Sequence, residues 1–312
     1  MSMMDRLKIR HLRALVAVAE QGTLVRAADV LSITQPAVSK TLAELEGIVG
    51  RQLLERTSKG ATLTAAGRVL LRHAGASLRA LNEGLDSLAT GQEGEAPTLL
   101  IGALPNVAAT VLPPALLRFA ETDPRVRISV RTGSNAQLIA ALRQGVLDLL
   151  IGRLAEPADM QGLSFEQLYT ESLVLVVRPQ HPLAGCRNID PELLRKHRLV
   201  LPDAGTRVRE AADRFFVSSA LGLPVQTIET IDIAFGRSYV LQSDAVWFVP
   251  LGAIENDLRQ GTFVRLPIDT RITEGPVGLT RRVDRVPSDA LDQLMEEIRQ
   301  SASEWLNRAA LP

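Results

Sequence analysis

Two groups of side chains in this sequence have the types and spacing for recognition chemistry. The first is Thr34-Gln35-Pro36 with Ser39 and Lys40, preceded by Thr23 and Arg26 and followed by Arg56 and Lys59. Short hydroxyls and an amide suit the hydrogen-bonding edges of bases, and isolated cations suit phosphates. The second is Asn106, Ser134, Asn135, Arg153, Thr206, Arg207 and Asp232, spread along the remaining chain. Amides, hydroxyls and arginines brought together in this way would hold a small carboxylate. Neither group resembles a catalytic centre. The sequence has no G-x-S-x-G elbow, no G-x-G-x-x-G loop, no Walker A sequence and no H-E-x-x-H. His11, His73, His181 and His197 lack metal-ligand spacing, and Cys186 alone excludes an internal disulfide or a cysteine-rich metal site. The thiol reads as buried and inert. No enzyme activity, metal or cofactor is expected.

The first group needs a rigid mount, and the sequence supplies one. Leu12, Leu15, Val16 and Ala19 recur at helical spacing. Gly22 stops that helix, and Thr23 caps a short second one, LVRAADVL. Thr34 caps a third, QPAVSKTLAELEG, with Pro36 in the first turn, where a missing N–H costs little. Two short helices with a brief connection describe a helix-turn-helix. Ala27 and Ala28 let the helices approach, and Leu31, Ile33, Val38, Leu42 and Leu45 form the inner face. Thr34, Gln35, Pro36, Ser39 and Lys40 remain for base edges and phosphates. LLERTSKGATLTAAG reads as a short hairpin, or wing, with Arg56 and Lys59 near its tip for the phosphate backbone. From Thr64 to about Ala89, Leu71, Ala74, Leu78, Leu81, Leu85 and Leu88 alternate spacings of three and four. That seam calls for a partner helix. Residues 90–95 read as a hinge.

The second group sits on alternating strands and helices. TLLIGAL, VRISVRT and LDLLIGR are strands separated by helices, an order that implies a parallel sheet with helices on its faces. FEQLYTESLVLVVRP opens a second such set, which closes near residue 269. The chain is therefore an α/β protein: a winged helix-turn-helix at 1–63, a linker helix and hinge at 64–95, and a two-lobed domain at 96–312. Lobe I takes 96–165 and 270–312, and lobe II takes 166–269. The predicted site residues fall at the carboxyl ends of strands and at helix starts, where ligands of open α/β sheets bind and free N–H groups favour anions. Hydrophobic residues make up 46% and charged residues 22%, which suits packed cores rather than disorder. The formal net charge is zero, but residues 1–91 carry 12 basic and 8 acidic side chains, leaning toward a polyanion partner. No apolar run reaches the ~18 residues of a membrane span. The amino end breaks its apolar positions with charges, unlike a signal peptide, so a cytoplasmic location is expected.

ADVLSITQPAVSKTLAELEGIVGRQLLERTSKGATLTAAG resembles the DNA-binding head of LysR-type transcriptional regulators. Leu54 departs from the pattern, since the family commonly has an aromatic there. LPPALLRF, TGSNAQLIAALRQGVLDLLIG and RPQHPLAG resemble the effector domain of the same regulators, which is like a periplasmic binding protein. The resemblance implies double-stranded promoter DNA as a partner, a dimer through the linker helix, a tetramer through the effector domains, and contact with RNA polymerase. GALPNVAATVLPPAL, FEQLYTESLVLVVRPQHPL, IETIDIAFGRSYVLQSDAVWFV and TEGPVGLTRR further resemble the subgroup that controls protocatechuate catabolism, in the β-ketoadipate pathway. That resemblance implies an activator and a carboxylated ring-cleavage product as co-inducer, met by Arg153, Arg207 and Arg237. A related subgroup governs sugar uptake, and a sugar effector is the alternative. A solute-binding protein and an enzyme are further alternatives, disfavoured by the helix-turn-helix.

Overall fold

The computed structural model describes residues 3–57, 60–90 and 98–309. Lys59 and the hinge at 91–95 lie outside the described residues. The backbone divides into two units, Met1–Thr98 with Ala140–Leu147, and Leu99–Ile139 with Asp148–Pro312. Among the described residues no helix is long and apolar enough to cross a membrane.

Helix caps set the layout of the amino-terminal unit. It runs α1 (Met3–Arg6), α2 (Ile9–Gln21), α3 (Leu24–Leu31), α4 (Gln35–Val49), the hairpin β1 (Leu54–Thr57) and β2 (Gly60–Leu63), then α5 (Ala65–Thr90). Gly22 ends α2 in the left-handed conformation, at φ 70°. Thr23 and Thr34 accept from the N–H groups of Arg26 and Ala37, capping α3 and α4 as their residue types predict. Ala27, Ala28, Val38, Leu42 and Leu45 are buried with Leu15 and Val18 of α2. The wing is fixed to this core at both ends. Glu46 of α4 accepts from the N–H groups of Leu53 (2.7 Å) and Leu54 (3.1 Å). At the other end Ala61 N–H donates to the Gly22 carbonyl, and a Cβ at Gly60 would run into that same oxygen. Glycine is the residue that fits there. Thr64 caps α5, as expected, by accepting from Gly67 N–H at 3.0 Å.

The carboxy-terminal domain begins with β3 (Thr98–Ala103), α6 (Pro105–Ala109), α7 (Leu112–Thr122), β4 (Arg127–Thr132), α8 (Asn135–Arg143), β5 (Leu149–Arg153) and β6 (Leu163–Glu171). It continues through β7 (Leu173–Val177), β8 (Leu199–Leu201), α9 (Arg207–Ser218), β9 (Thr227–Glu229), α10 (Ile233–Leu241), β10 (Val246–Pro250), α11 (Leu251–Arg259) and β11 (Val264–Arg265). β12 (Gly275–Arg282) and α12 (Asp289–Ala309) complete it. Two five-stranded sheets result, in the orders β4-β3-β5-β12-β6 and β11-β7-β10-β8-β9. Each is mixed rather than wholly parallel, because β12 runs antiparallel to β5 and β6, and β7 antiparallel to β10.

The lobe boundary expected near residue 165 moves to Ser172. Phe165–Glu171 does not open lobe II; it lies in β6, which pairs with β12 from Leu163↔Arg282 to Glu171↔Gly275. The two strands differ in burial. β6 mixes buried and exposed residues, whereas every residue of β7 is buried. Leu173, Leu175 and Val177 face the cluster of Phe215, Phe216 and Phe248, and Val174 and Val176 face Trp247, Phe263 and Ile254 on the other side. A strand covered on both faces reads as a continuous apolar run, which is why the two segments looked like one. Next to Ser172 the outgoing and returning chains are stitched together. Leu173 N–H donates to Thr273 Oγ1 (2.9 Å), and Thr270 Oγ1 donates to the Leu173 carbonyl (2.6 Å).

Lobe II also holds a histidine pair, His181 buried and His197 half-buried beside it. The rings of His181 and His197 lie 4.5 Å apart, and both meet the Asp244 carbonyl at 3.2 Å. Leu183 N–H donates to His181 Nδ1, so the neutral ring carries its proton on Nε2. Burial holds the His181 pKa below the usual 6.5, against the opposing pull of the Asp244 carbonyl, and the neighbouring His197 and Arg178 lower it further. The unfolded chain therefore takes up a proton first as pH falls below 6.5, and stability drops until the folded ring also titrates. Thermal unfolding at about pH 7.5 and pH 5.5 is expected to show this loss, and His181→Gln to diminish it.

Candidate DNA-reading face and effector cleft

On the amino-terminal unit, Thr34, Gln35, Pro36 and Lys40 are exposed along the start of α4, with Ser39 half-buried beside them. Arg26 is exposed on α3, and Thr23 is half-buried at its cap. Arg56 lies on β1 opposite Ala61. Behind this face is a contact that the sequence did not reveal. Buried His11 of α2 and Arg10 both reach Glu44 of α4, at 3.4 and 2.8 Å. Arg10 first and His11 second hold the Glu44 carboxyl below its ordinary range. This clamp fixes the roll of α4 and hence which residues face outward. Along α5, Leu71 and Ala74 are buried, Leu78 is half-buried, and Leu81 and Leu85 are 40% and 54% exposed. Among the described residues, this part of the seam is left uncovered in the single chain, and the Leu88 side chain lies outside the description.

In the effector domain a cleft of about 620 Å³, open mouth included, lies between the two lobes. Asn106, Ser134, Asn135, Arg153, Thr206 and Arg207 all line it, so six of the seven predicted residues come together. The seventh, Asp232, does not line it. Its carboxylate caps α10 by accepting from Phe235 N–H (2.9 Å), while its neighbours Ile231 and Ile233 face the cleft. Thr206 caps α9 in the same way, and Ser134 precedes α8. Three helix starts therefore converge, and their unpaired N–H groups favour a negative charge. Leu104, Val208, Thr230 and Trp247 complete much of the wall.

The arginines are committed differently from the expectation. Arg153 is 6% exposed and donates to the backbone carbonyls of Glu171 (2.9 Å) and Thr273 (3.4 Å). Burial lowers its pKa, and the Glu171 carboxylate opposes that shift. It braces the junction of the lobes and has little left for a ligand. Arg237 is absent from the cleft wall and pairs with Asp257 at 2.6 Å. Arg207 is at the cleft, paired with Glu156 and with Glu210 at 2.7 Å. Asn135 donates to the Arg153 carbonyl (3.0 Å), while its own Oδ1 is buried without a hydrogen-bond partner. Cys186 is half-buried against the lobe II core rather than fully enclosed.

Sequence reasoning missed Glu171, which no local pattern marks. It is 3% exposed at the end of β6. One carboxylate oxygen accepts from Asn106 Nδ2 (2.5 Å) in lobe I, the other from Gly252 N–H (2.6 Å) in lobe II. Burial raises its pKa, and Arg153, Gly252 and Asn106 pull it back. Cleft and junction thus share a side chain, Asn106.

A helix-turn-helix with an exposed polar helix start, joined to a two-lobed cleft domain, defines a transcriptional regulator built to couple DNA to a small molecule. Residues 9–68 match the "Bacterial regulatory helix-turn-helix protein, lysR family", and residues 92–303 match the "LysR substrate binding domain". The chain belongs to the LysR family. It is 40% identical over 301 residues to the HTH-type transcriptional regulator PcaQ of Agrobacterium fabrum, covering 96% of each chain. It is 39% identical over 297 residues to the uncharacterized HTH-type transcriptional regulator YdcI of Escherichia coli, covering 95% of this chain and 96% of the relative. The crystal structure of CbnR, a LysR family transcriptional regulator, shares the fold with a TM-score of 0.60 at 22% identity, covering 95% of this chain and 99% of that one. Regulators of this family have promoter DNA, a small-molecule effector and further copies of themselves as partners.

Proposed function

We propose that this protein activates aromatic-catabolism genes, those of protocatechuate and the β-ketoadipate pathway, in response to a carboxylated ring-cleavage intermediate. Residues 1–63 read an inverted-repeat operator, with Thr34, Gln35, Pro36 and Ser39 toward the major groove and Thr23, Arg26, Lys40, Arg56 and Lys59 toward the backbone phosphates. Residues 64–95 pair two such heads, covering Leu81 and Leu85, and the effector domains join dimers into a tetramer in the cytoplasm that meets RNA polymerase. The observation that carries the effector reading is the convergence of three helix starts and Arg207 on one cleft. Likeness to PcaQ over nearly the whole chain points to the same class of pathway. A ligand shifts such a protein only by binding one lobe arrangement better than another.

A neutral sugar is the second reading, favoured because Arg153 and Arg207 already have partners in the chain. Thermal-shift titration with 3-carboxy-cis,cis-muconate, protocatechuate and galactose separates the two. Stabilisation by the carboxylates alone supports the first, and stabilisation by galactose alone removes it. On the DNA side, Lys40→Ala is expected to weaken binding to all sequences and to lower the salt slope by about one in gel-shift titrations. An unchanged slope removes Lys40 from the phosphate contacts.

A further inference from the structure

The two arginines that line the cleft are held in different ways. Arg153 is buried and bound to backbone carbonyls, partners that cannot leave it. Arg207 begins α9 in lobe II and is paired with two carboxylates. Glu210 sits three residues along the same helix and travels with Arg207 whatever the lobes do. Glu156 is different, because it belongs to lobe I, in the loop that leaves β5. Its pair with Arg207, which lines the cleft, joins one lobe to the other.

Both side chains of that pair are substantially exposed, 39% for Arg207 and 54% for Glu156. Exposed pairs are weak, because water solvates the separated charges nearly as well. A contact of this kind can hold two lobes together and still be exchanged cheaply. The group that would exchange with it is another carboxylate, since a guanidinium accepts either in the same fork geometry. Arg207 and Val208, the first two residues of α9, both line the cleft, and the free N–H groups of a helix start favour an incoming negative charge.

We propose that Glu156 is a displaceable latch across the cleft, which competes with the effector's carboxylate for Arg207 and so sets the charge an effector needs. This rests on the carboxylate reading above. Displacement couples binding to lobe geometry, because the contact that is lost joined the lobes. A neutral ligand leaves the latch closed.

The test uses full-length protein, as wild type, Glu156→Gln, Arg207→Gln and the reversed pair Glu156→Arg with Arg207→Glu. Isothermal titration measures 3-carboxy-cis,cis-muconate and galactose. Spin labels at Ala136 and Val217, in a Cys186→Ser background diluted with unlabelled chains, report the distance between lobes without ligand. Glu156→Gln is expected to tighten carboxymuconate binding about two- to fivefold, with galactose unaffected. The ligand-free distance distribution should broaden in Glu156→Gln and in Arg207→Gln, and return in the reversed pair. Equal carboxymuconate affinity in wild type and Glu156→Gln, or superimposable distance distributions, overturns the latch. If no carboxylate binds either protein, the competition and the carboxylate reading fall together, and a latch that still shows in the distances marks the failure as one of ligand class.

Discussion

Glu171→Ala is expected to lower the stability of the effector domain by about 3–5 kcal/mol, the range for breaking a buried polar network by removing one member. The substitution strands the Asn106 amide and the Gly252 N–H, each of which donates to one oxygen of this carboxylate. It also withdraws the negative charge that offsets the desolvation of buried Arg153. Water cannot replace it without entering a site where Glu171 is 3% exposed. Glu171→Gln should cost less. Its oxygen can still accept from Gly252, and its own NH2 can donate to Asn106 once that amide turns over. Gly252→Ala addresses the same contact from the other side, since a Cβ there would lie 2.7 Å from the Glu171 oxygen. Urea unfolding followed by tryptophan fluorescence gives the measurement, because both tryptophans, Trp247 and Trp305, lie in the effector domain. An alanine variant within about 0.5 kcal/mol of wild type would remove Glu171 as a tie between the lobes.

Gln35→Ala is expected to reduce discrimination between operator and unrelated DNA by about ten- to a hundredfold, the span of one good bidentate base contact. Gln35 is exposed in the first turn of α4, next to the capping Thr34. Its amide offers a donor and an acceptor together, which matches the adenine edge in the major groove. The helix is held against rolling by the Arg10 and His11 contacts to Glu44, so truncation subtracts contacts without moving the frame. Gel-shift titrations on operator and scrambled duplex at one salt concentration give the ratio. Equal weakening on both duplexes would place Gln35 on the backbone instead.

The parts legible in the sequence are those whose causes are local. Gly22, Thr23 and Thr34 act within three or four residues of themselves, so the helix-turn-helix could be read one turn at a time. Ser134, Thr206 and Asp232 were legible as helix starts for the same reason. The commitments of the arginines were not. The partners of Arg153 lie 18 and 120 residues away, and Arg207 meets Glu156 across 51. Gly252 reaches Glu171 over 81 residues, and the pattern around either position carries no trace of the other. The boundary at Ser172 was hidden too, because a half-buried strand runs into a fully buried one with a single residue between them.

The threonine stitching beside Ser172 has a mechanical consequence. Two independent connections would leave the lobes free to twist, slide and splay. Because Thr270, Thr273 and Leu173 bind the outgoing and returning chains to each other, the pair acts as a single axle. A turn about such an axle would move the enclosed carboxylate of Glu171 least and the solvent-facing rim most. On the function proposed above, one small molecule that turned the lobes slightly would therefore displace most what the rest of an assembly touches.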